Sequence, residues 1–439
     1  MRKGRMPTWL TLMLAAVLLV LVAIPGLWVF VSLTARPLHP NPKDMPTVAH
    51  SAPLPKWARA VEQGRQIVRG SVAEQNLPGL SVAIGIDGDI VWAEGFGFAD
   101  LRTSVPVTPD HRFRIGTAST VLTSAAAGLL LENGRLKLDD EIQTYVPAFP
   151  KKQWPVTLRG LMGDTAGVIP DGGGGGPLFT KHCERPVEAL QYFAENPLLF
   201  QPGTEYRYSS YGWILVSTAV EAAANQPFLQ FMREQIFDPL GMRETIADPA
   251  RIEPGEDFPL ANMIRELIHD PGATRDTTPD STKKPGQDRV TPYFTRFAKD
   301  PNYGLHVMRP LDYSCYAGAS VFVSTPSDLV RFGMAIHSGK LLRPATVELL
   351  QTSQRLASGQ ETGYGLGWYS KTVTLAAKQT RVIGHDGDSL GGIVASLMTF
   401  PEYGIVVAVT SNISYADTSS LAVKIAEAFV DQGRRPATK

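Results

Sequence analysis

The first pattern along the chain is an uncharged one. From Met6 to Ala35 no residue carries a charge, Trp9–Leu33 is almost continuously apolar, and Arg2, Lys3 and Arg5 precede it. Thirty uncharged residues exceed the ~20 that cross a bilayer as a helix, and Pro25-Gly26 can bend such a helix without breaking it. A cleaved signal needs an apolar core of only about 7–15 residues and a small-residue cleavage site. The best such site, before Arg36, has Leu33 where a small residue is wanted. The pattern predicts a basic cytoplasmic end over 1–8, one transmembrane signal anchor over 9–33, and the rest of the chain outside the cytoplasm, as in a bacterial periplasm or cell envelope. Trp9 and Trp28 are interface-type aromatics, although Trp28 falls well inside the run.

Six prolines between Pro37 and Pro55 make 34–56 read as a semi-rigid tether holding the domain off the membrane. Beyond it, Trp57–Gln75 has helical periodicity, with Val61, Ile67, Val68 and Val72 among charged residues. Leu80–Ile86 and Ile90–Phe98 are β-branched runs flanking Asp87-Gly88-Asp89, a hairpin signal. Arg114–Asn133, Tyr211–Asn225 and Phe228–Phe237 read as helices. Arg381–Gly384, Gly392–Phe400 and Gly404–Thr410 return to strand, and Ser419–Val430 closes as a helix. Strands at both ends must pair in one antiparallel sheet, with a helical lobe over roughly 110–330 between them. This predicts a two-lobed α/β domain over 57–439. Gly172–Gly176 lacks the Lys-Ser/Thr ending of a phosphate loop and reads as a surface loop. The polar stretch 272–291 reads as a mobile insertion.

Composition narrows the partners. Forty-two basic residues balance 42 acidic ones, so no cationic field favours nucleic acid. Cys183 and Cys315 are far apart, without Cys-x-x-Cys spacing, and read as two unpaired thiols. The histidines form no ligand spacing, so no zinc site is expected.

Several blocks carry a resemblance: Phe113-Arg114-Ile115-Gly116 before a helix ending Leu131-Glu132-Asn133-Gly134; Tyr145-Val146-Pro147; Tyr208-Ser209-Ser210-Tyr211-Gly212; Gly365-Leu366-Gly367-Trp368; and His385-Asp386-Gly387. In this order they resemble the beta-lactamase-related serine hydrolases, which include class C beta-lactamases and penicillin-binding proteins, and especially the mitochondrial branch. The resemblance implies a beta-lactamase/transpeptidase-like fold and acyl transfer or hydrolysis on an amide or ester, without a metal or organic cofactor. In that family a serine attacks, and a lysine one helical turn later, helped by a tyrosine, serves as base.

Aligned on Ile115-Gly116, Thr117 stands at the nucleophile and Thr120 at the lysine, so the Ser-x-x-Lys motif is degraded. The threonine methyl restricts χ1, and a hydroxyl at 120 has no useful basicity. Asp164 stands where the family usually has His, and Ser210 where many relatives have Asn. The candidate catalytic residues are Thr117, Thr120, Tyr208 and His385. Ser119, Ser210, Asp386 and Gly387 are candidates for binding a small-molecule, peptide or acyl ligand. Three readings stand: a pocket that binds without turnover; a rebuilt hydrolase using Thr117 or Ser119 with Tyr208 or His385 as base, oriented by Asp386 or Asp164; or a structural partner-binding module. Without the family context Thr117 would be a helix cap and His385-Asp386-Gly387 a turn.

Overall fold

The computed structural model describes residues 8–171, 177–249, 288–308 and 311–430. In chain order the principal elements are α1 (Thr8–Thr34), β1 (Thr47–Ala49), α2 (Ala58–Glu74), β2 (Gly79–Ile86), β3 (Asp89–Asp100), β4 (Val105–Pro106) and β5 (Phe113–Arg114). A 3-10 turn at Gly116–Ala118 then leads into α3 (Ser119–Glu132). The middle supplies α4 (Ser210–Ala224), β6 (Ile246–Ala247), the hairpin β7 (Tyr293–Phe297) and β8 (Asp300–Val307), β9 (Phe322–Ser324), α5 (Pro326–His337) and α6 (Pro344–Gln351). The chain ends in β10 (Tyr369–Leu375), β11 (Lys378–Ser389), β12 (Gly392–Phe400), β13 (Ile405–Ser411) and α7 (Thr418–Val430).

The main sheet has the order β1-β3-β2-β13-β12-β11-β10, with β4 paired to β3. All its pairs are antiparallel, and β13 joins the two chain ends through Val409↔Val82 and Ala408↔Ala83. Alternation along β13 explains how one sheet carries two layers. Val407 and Val409 face a core with Val61, Val68 and Val72 of α2 and Ile425 and Phe429 of α7. Val406 and Ala408 face the other core, with Leu329 and Val330 of α5 and the apolar sides of α3 and α4. Trp92 stacks on Phe429 at 6.3 Å, fixing α7 to the first hairpin. Asp87 (φ +53°) and Gly88 (φ +92°) form the tight turn expected between β2 and β3.

Several expectations change. α1 is helical across the proposed anchor, but the side chains of only part of it are described. Among the described residues no helix is long and apolar enough to cross a membrane. The helix is therefore present, and the transmembrane span is not established by it. The proline-rich segment is laid along the domain and is not a free spacer. The Leu38 N–H donates to Asn76 Oδ1 (2.7 Å), His39 stacks on Phe98, Met45 is buried, and β1 edges the sheet. Helix α3 starts at Ser119, later than expected, because Phe113-Arg114 pairs with β9 as a strand. Residues 172–176 and 272–287 lie outside the described residues. The last four positions of the supposed insertion are held, with Arg289 paired to Asp248 and the Thr291 hydroxyl donating to Asp100 (2.6 Å).

The cysteines are a correction. Cys183 and Cys315 form a disulfide across 132 residues. Sequence distance hid the contact because the segment around Phe179 folds against the turn at Ser314–Tyr316. Phe179 stacks on Tyr316 at 4.5 Å, and the Cys183 N–H donates to Ser314 Oγ at 2.9 Å. Closing so long a loop removes unfolded-state entropy, typically ~2–4 kcal/mol of stabilisation. Replacing both cysteines by serine should therefore lower the free energy of denaturant unfolding by about that amount. An unchanged midpoint would show that the crosslink contributes nothing.

Candidate active site

The site forms where β11 crosses the turn before α3. Arg114 sets that turn from behind: its guanidinium is buried, donates to Asp248 at 2.8 Å and lies 4.6 Å over the Tyr313 ring. Asp248 also takes Arg289 at 2.6 Å, so two cations share one buried carboxylate. Past Arg114 the backbones of turn and strand nearly touch. A Cβ at Gly116, whose φ is +50°, would sit 2.0 Å from the Asp388 carbonyl oxygen, and one at Gly387 would sit 1.9 Å from that of Ile115. Glycine is required at both places.

That approach engages the Thr117 hydroxyl twice. Its hydroxyl donates to the Asp386 carbonyl at 3.2 Å and accepts the Asp388 N–H at 2.9 Å. Thr120 and Ser119 do not reach the cleft. Both are fully buried, and their hydroxyls donate one turn back along their own helix, to Thr117 and Gly116 carbonyls at 2.8 Å each. This back-bonding is what Ser and Thr do in a helix when no other partner is offered. Gly387 brings no side chain, and its backbone packs against Ile115.

Thr117, Tyr208, Ser210 and His385 do line one cleft, of about 390 Å³, together with Asp171, Phe179, Tyr313, Tyr369, Lys371 and Asp388. Asp386 borders it, but its carboxylate is held by Ser396 (2.7 Å) and Ser419 (3.3 Å) hydroxyls. The sequence reading missed Tyr369 and Lys371. Their alternation on β10 was the available signal, with Lys371 placing its ammonium 4.5 Å over the Tyr369 ring. It also missed Tyr364, fully buried just before Gly365.

Tyr364 decides the state of His385. His385 Nδ1 donates to the Asp386 carbonyl at 2.5 Å, which leaves Nε2 as an acceptor for the Tyr364 hydroxyl at 3.1 Å. Asp164 lies beyond, receiving the Ser209 N–H at 2.9 Å and also within hydrogen-bonding reach of Tyr364. Burial pushes the Asp164 carboxyl well above the usual carboxylate range. The polar groups line up as Asp164, Tyr364 and His385, with the Tyr364 hydroxyl donating to His385 Nε2 and His385 Nδ1 to the strand backbone. Both imidazole nitrogens are occupied. Burial also pushes the Tyr208 phenol well above 10, and its buried hydroxyl has no well-formed hydrogen bond. Neither group is a ready base at neutral pH.

Comparison with known proteins agrees with this architecture. The family model described as Beta-lactamase matches residues 65–430, and the chain belongs to that family. The mitochondrial serine beta-lactamase-like protein LACTB of Mus musculus is 24% identical over 85% of this chain and 81% of its own. Penicillin-binding protein 4* of Bacillus subtilis is 24% identical over 68% and 60%. Among solved structures, D-amino acid amidase from Ochrobactrum anthropi SV3 with D-phenylalanine has a TM-score of 0.66 at 20% identity, covering 85% of this chain and 100% of that one. FmtA from Staphylococcus aureus has a TM-score of 0.64 at 18% identity, covering 92% and 95%. These likenesses establish a fold of the beta-lactamase and penicillin-binding-protein type.

Burial lowers His385 to about 4, whereas in the unfolded chain it titrates near 6.5. Its neutral form is what the fold binds. The stabilisation is complete above pH 6.5 and is lost as pH falls from 6.5 through 4, by roughly 3 kcal/mol in all. Unfolding free energy measured between pH 7 and 4 should therefore fall less steeply in His385→Gln than in the native chain.

Proposed function

We propose that this is a membrane-anchored, extracytoplasmic member of the beta-lactamase family whose cleft binds a small acyl or peptide ligand, such as a peptidoglycan-like fragment, with little or no turnover. The observation that carries this reading is the hydroxyl of Thr117. An attacking oxygen needs a base, and the oxyanion formed on attack needs a free backbone donor. Here Thr117 itself occupies the Asp388 N–H and gives its proton to a carbonyl. Thr120 at the lysine position faces the helix interior. The relatives that include penicillin-binding proteins and an amino acid amidase support a ligand of peptide-like size.

Placement outside the cytoplasm is supported by the uncharged run of 30 residues behind three basic ones, and by the disulfide, since such crosslinks persist on the oxidising side of a membrane. A second reading keeps activity. In it Tyr208, which faces Thr117 across the cleft, takes the Thr117 proton once it is itself ionised against the effect of burial.

The test is acylation. The full chain in detergent, incubated with a fluorophosphonate or a fluorescent penicillin, should show no adduct by intact mass. Thr117→Ser/Thr120→Lys should acylate at least ~10³-fold faster, because serine regains rotation about χ1 and the lysine restores a base. An adduct on the native chain that maps to Thr117 or Ser119 would replace the binding reading with the second one.

A further inference from the structure

Helix α1 does not leave the domain at its end. Its last two turns are gripped by the hairpin β7–β8. Val31 is fully buried, Trp28 Nε1 donates to the Tyr303 hydroxyl at 3.3 Å, Arg296 donates to Thr34 Oγ1 at 3.0 Å, and the Arg296 guanidinium lies 5.6 Å over the Phe30 ring. Phe297 packs edge-on against Tyr303 at 5.9 Å. The hairpin is itself tied into the domain, with Pro301 accepting from Asn76 Nδ2 at 3.2 Å.

Below that grip the described side chains of the helix are exposed. Thirteen of the eighteen large apolar side chains left exposed among the described residues belong to α1, from Trp9 to Leu33. A patch of that size needs a cover. Below the grip the helix comprises Thr8–Leu27, twenty residues without charge. At 1.5 Å per residue these span roughly 30 Å, the thickness of a bilayer's hydrocarbon core. Trp28, Phe30, Phe297 and Tyr303 then fall together at one level, the aromatic composition found at a membrane interface. Exposed Arg36 and Lys299 flank that level.

We propose that the hairpin β7–β8 rests in the interfacial layer of a bilayer and acts with Trp28 and Phe30 as a collar that fixes the domain's tilt on the membrane. The inference rests on the anchoring reading above and adds a second contact surface to it. The collar also adjoins the cleft. Phe294 packs on Tyr415 at 5.6 Å, the Lys299 ammonium lies 5.8 Å over the same ring, and the Tyr415 hydroxyl donates to the carbonyl of Leu390, on the cleft rim, at 3.5 Å. A collar seated on lipid holds that rim beside the membrane surface.

The full chain would be reconstituted in phosphatidylethanolamine/phosphatidylglycerol vesicles with one fluorophore at Ala298→Cys or Asn302→Cys. Both positions are exposed, and the native cysteines are paired. Lys378→Cys, exposed at the start of β11 and at the far end of that strand from the cleft, is the control. Nitroxide carried on the lipid headgroup should quench the two hairpin labels at least ~2-fold more than the control. Alkaline carbonate extraction separates the two ideas. Release of the protein by carbonate would overturn the anchoring reading and the collar with it. Retention in the pellet, with hairpin labels quenched no more than Lys378→Cys, would leave the anchor standing and overturn the collar. Hairpin labels shielded from both lipid nitroxide and aqueous iodide would mean that a second copy covers the face, which also overturns it.

Discussion

Two backbones meet without side chains between them where β11 passes the turn that carries Thr117, and much of the cleft is set by that meeting. Because neither Gly116 nor Gly387 can hold a Cβ there, the strand lies close enough for its own N–H and C=O to reach the Thr117 hydroxyl. The same approach orients His385 toward Tyr364 on one face of β11 and the Asp386 carboxylate toward Ser396 and Ser419 on the other. Arg114, Asp248 and Arg289 support it from behind. The ion pairs at this depth are matched by hydrogen bonds, the condition under which burying charge is tolerable.

This geometry bears on the proposed loss of the family's chemistry. A lysine one turn after the nucleophile would have to project into the cleft from the position Thr120 now occupies. Threonine instead satisfies its hydroxyl within the helix, at no cost in buried polar groups. The polar chain Asp164–Tyr364–His385 is likewise closed on itself. An incoming acyl group would have to exchange the bonds of Thr117 and His385, whereas the Tyr208 hydroxyl, without a well-formed hydrogen bond, is the group in the cleft that gains most from a ligand.

The periodic elements were legible because periodicity is a local property. The helix at Ala58–Glu74, the hairpin of β2 and β3, and the closing helix α7 fall within a few residues of the positions their apolar spacing implies. The pairing of both chain ends was legible too, since strands at each end of a helical middle have no other partner. Long-range contacts between dissimilar segments were not. The cysteines sit in unlike contexts, and only the packing of Phe179 on Tyr316 brings them together. Thr117, Tyr208 and His385 were singled out through family spacing, which says which residues stand at a site but not which way a hydroxyl turns. Ser119 and Thr120 could not be sorted from Thr117 on sequence alone. Proline content suggested a spacer, although residues 38–49 lie on the domain through hydrogen bonds to Asn76 and Leu77 and pairing with β3.

The central sheet also sets a schedule. Its first hairpin is flanked by β13, and Ser411 donates to the carbonyl of Gly79 across 332 residues. At ~5–20 residues per second of synthesis, β2 waits roughly 15–60 s for the strand that completes its edge. During that wait a strand buried along its whole length in the finished protein has an unpaired side, which is where newly made chains aggregate. The helical lobe is made in the interval and can pack locally, so the last strands to emerge decide when the cleft first exists. Folding of this chain is therefore a closing event at the C-terminus, and any handling factor that it needs must act before β13 arrives.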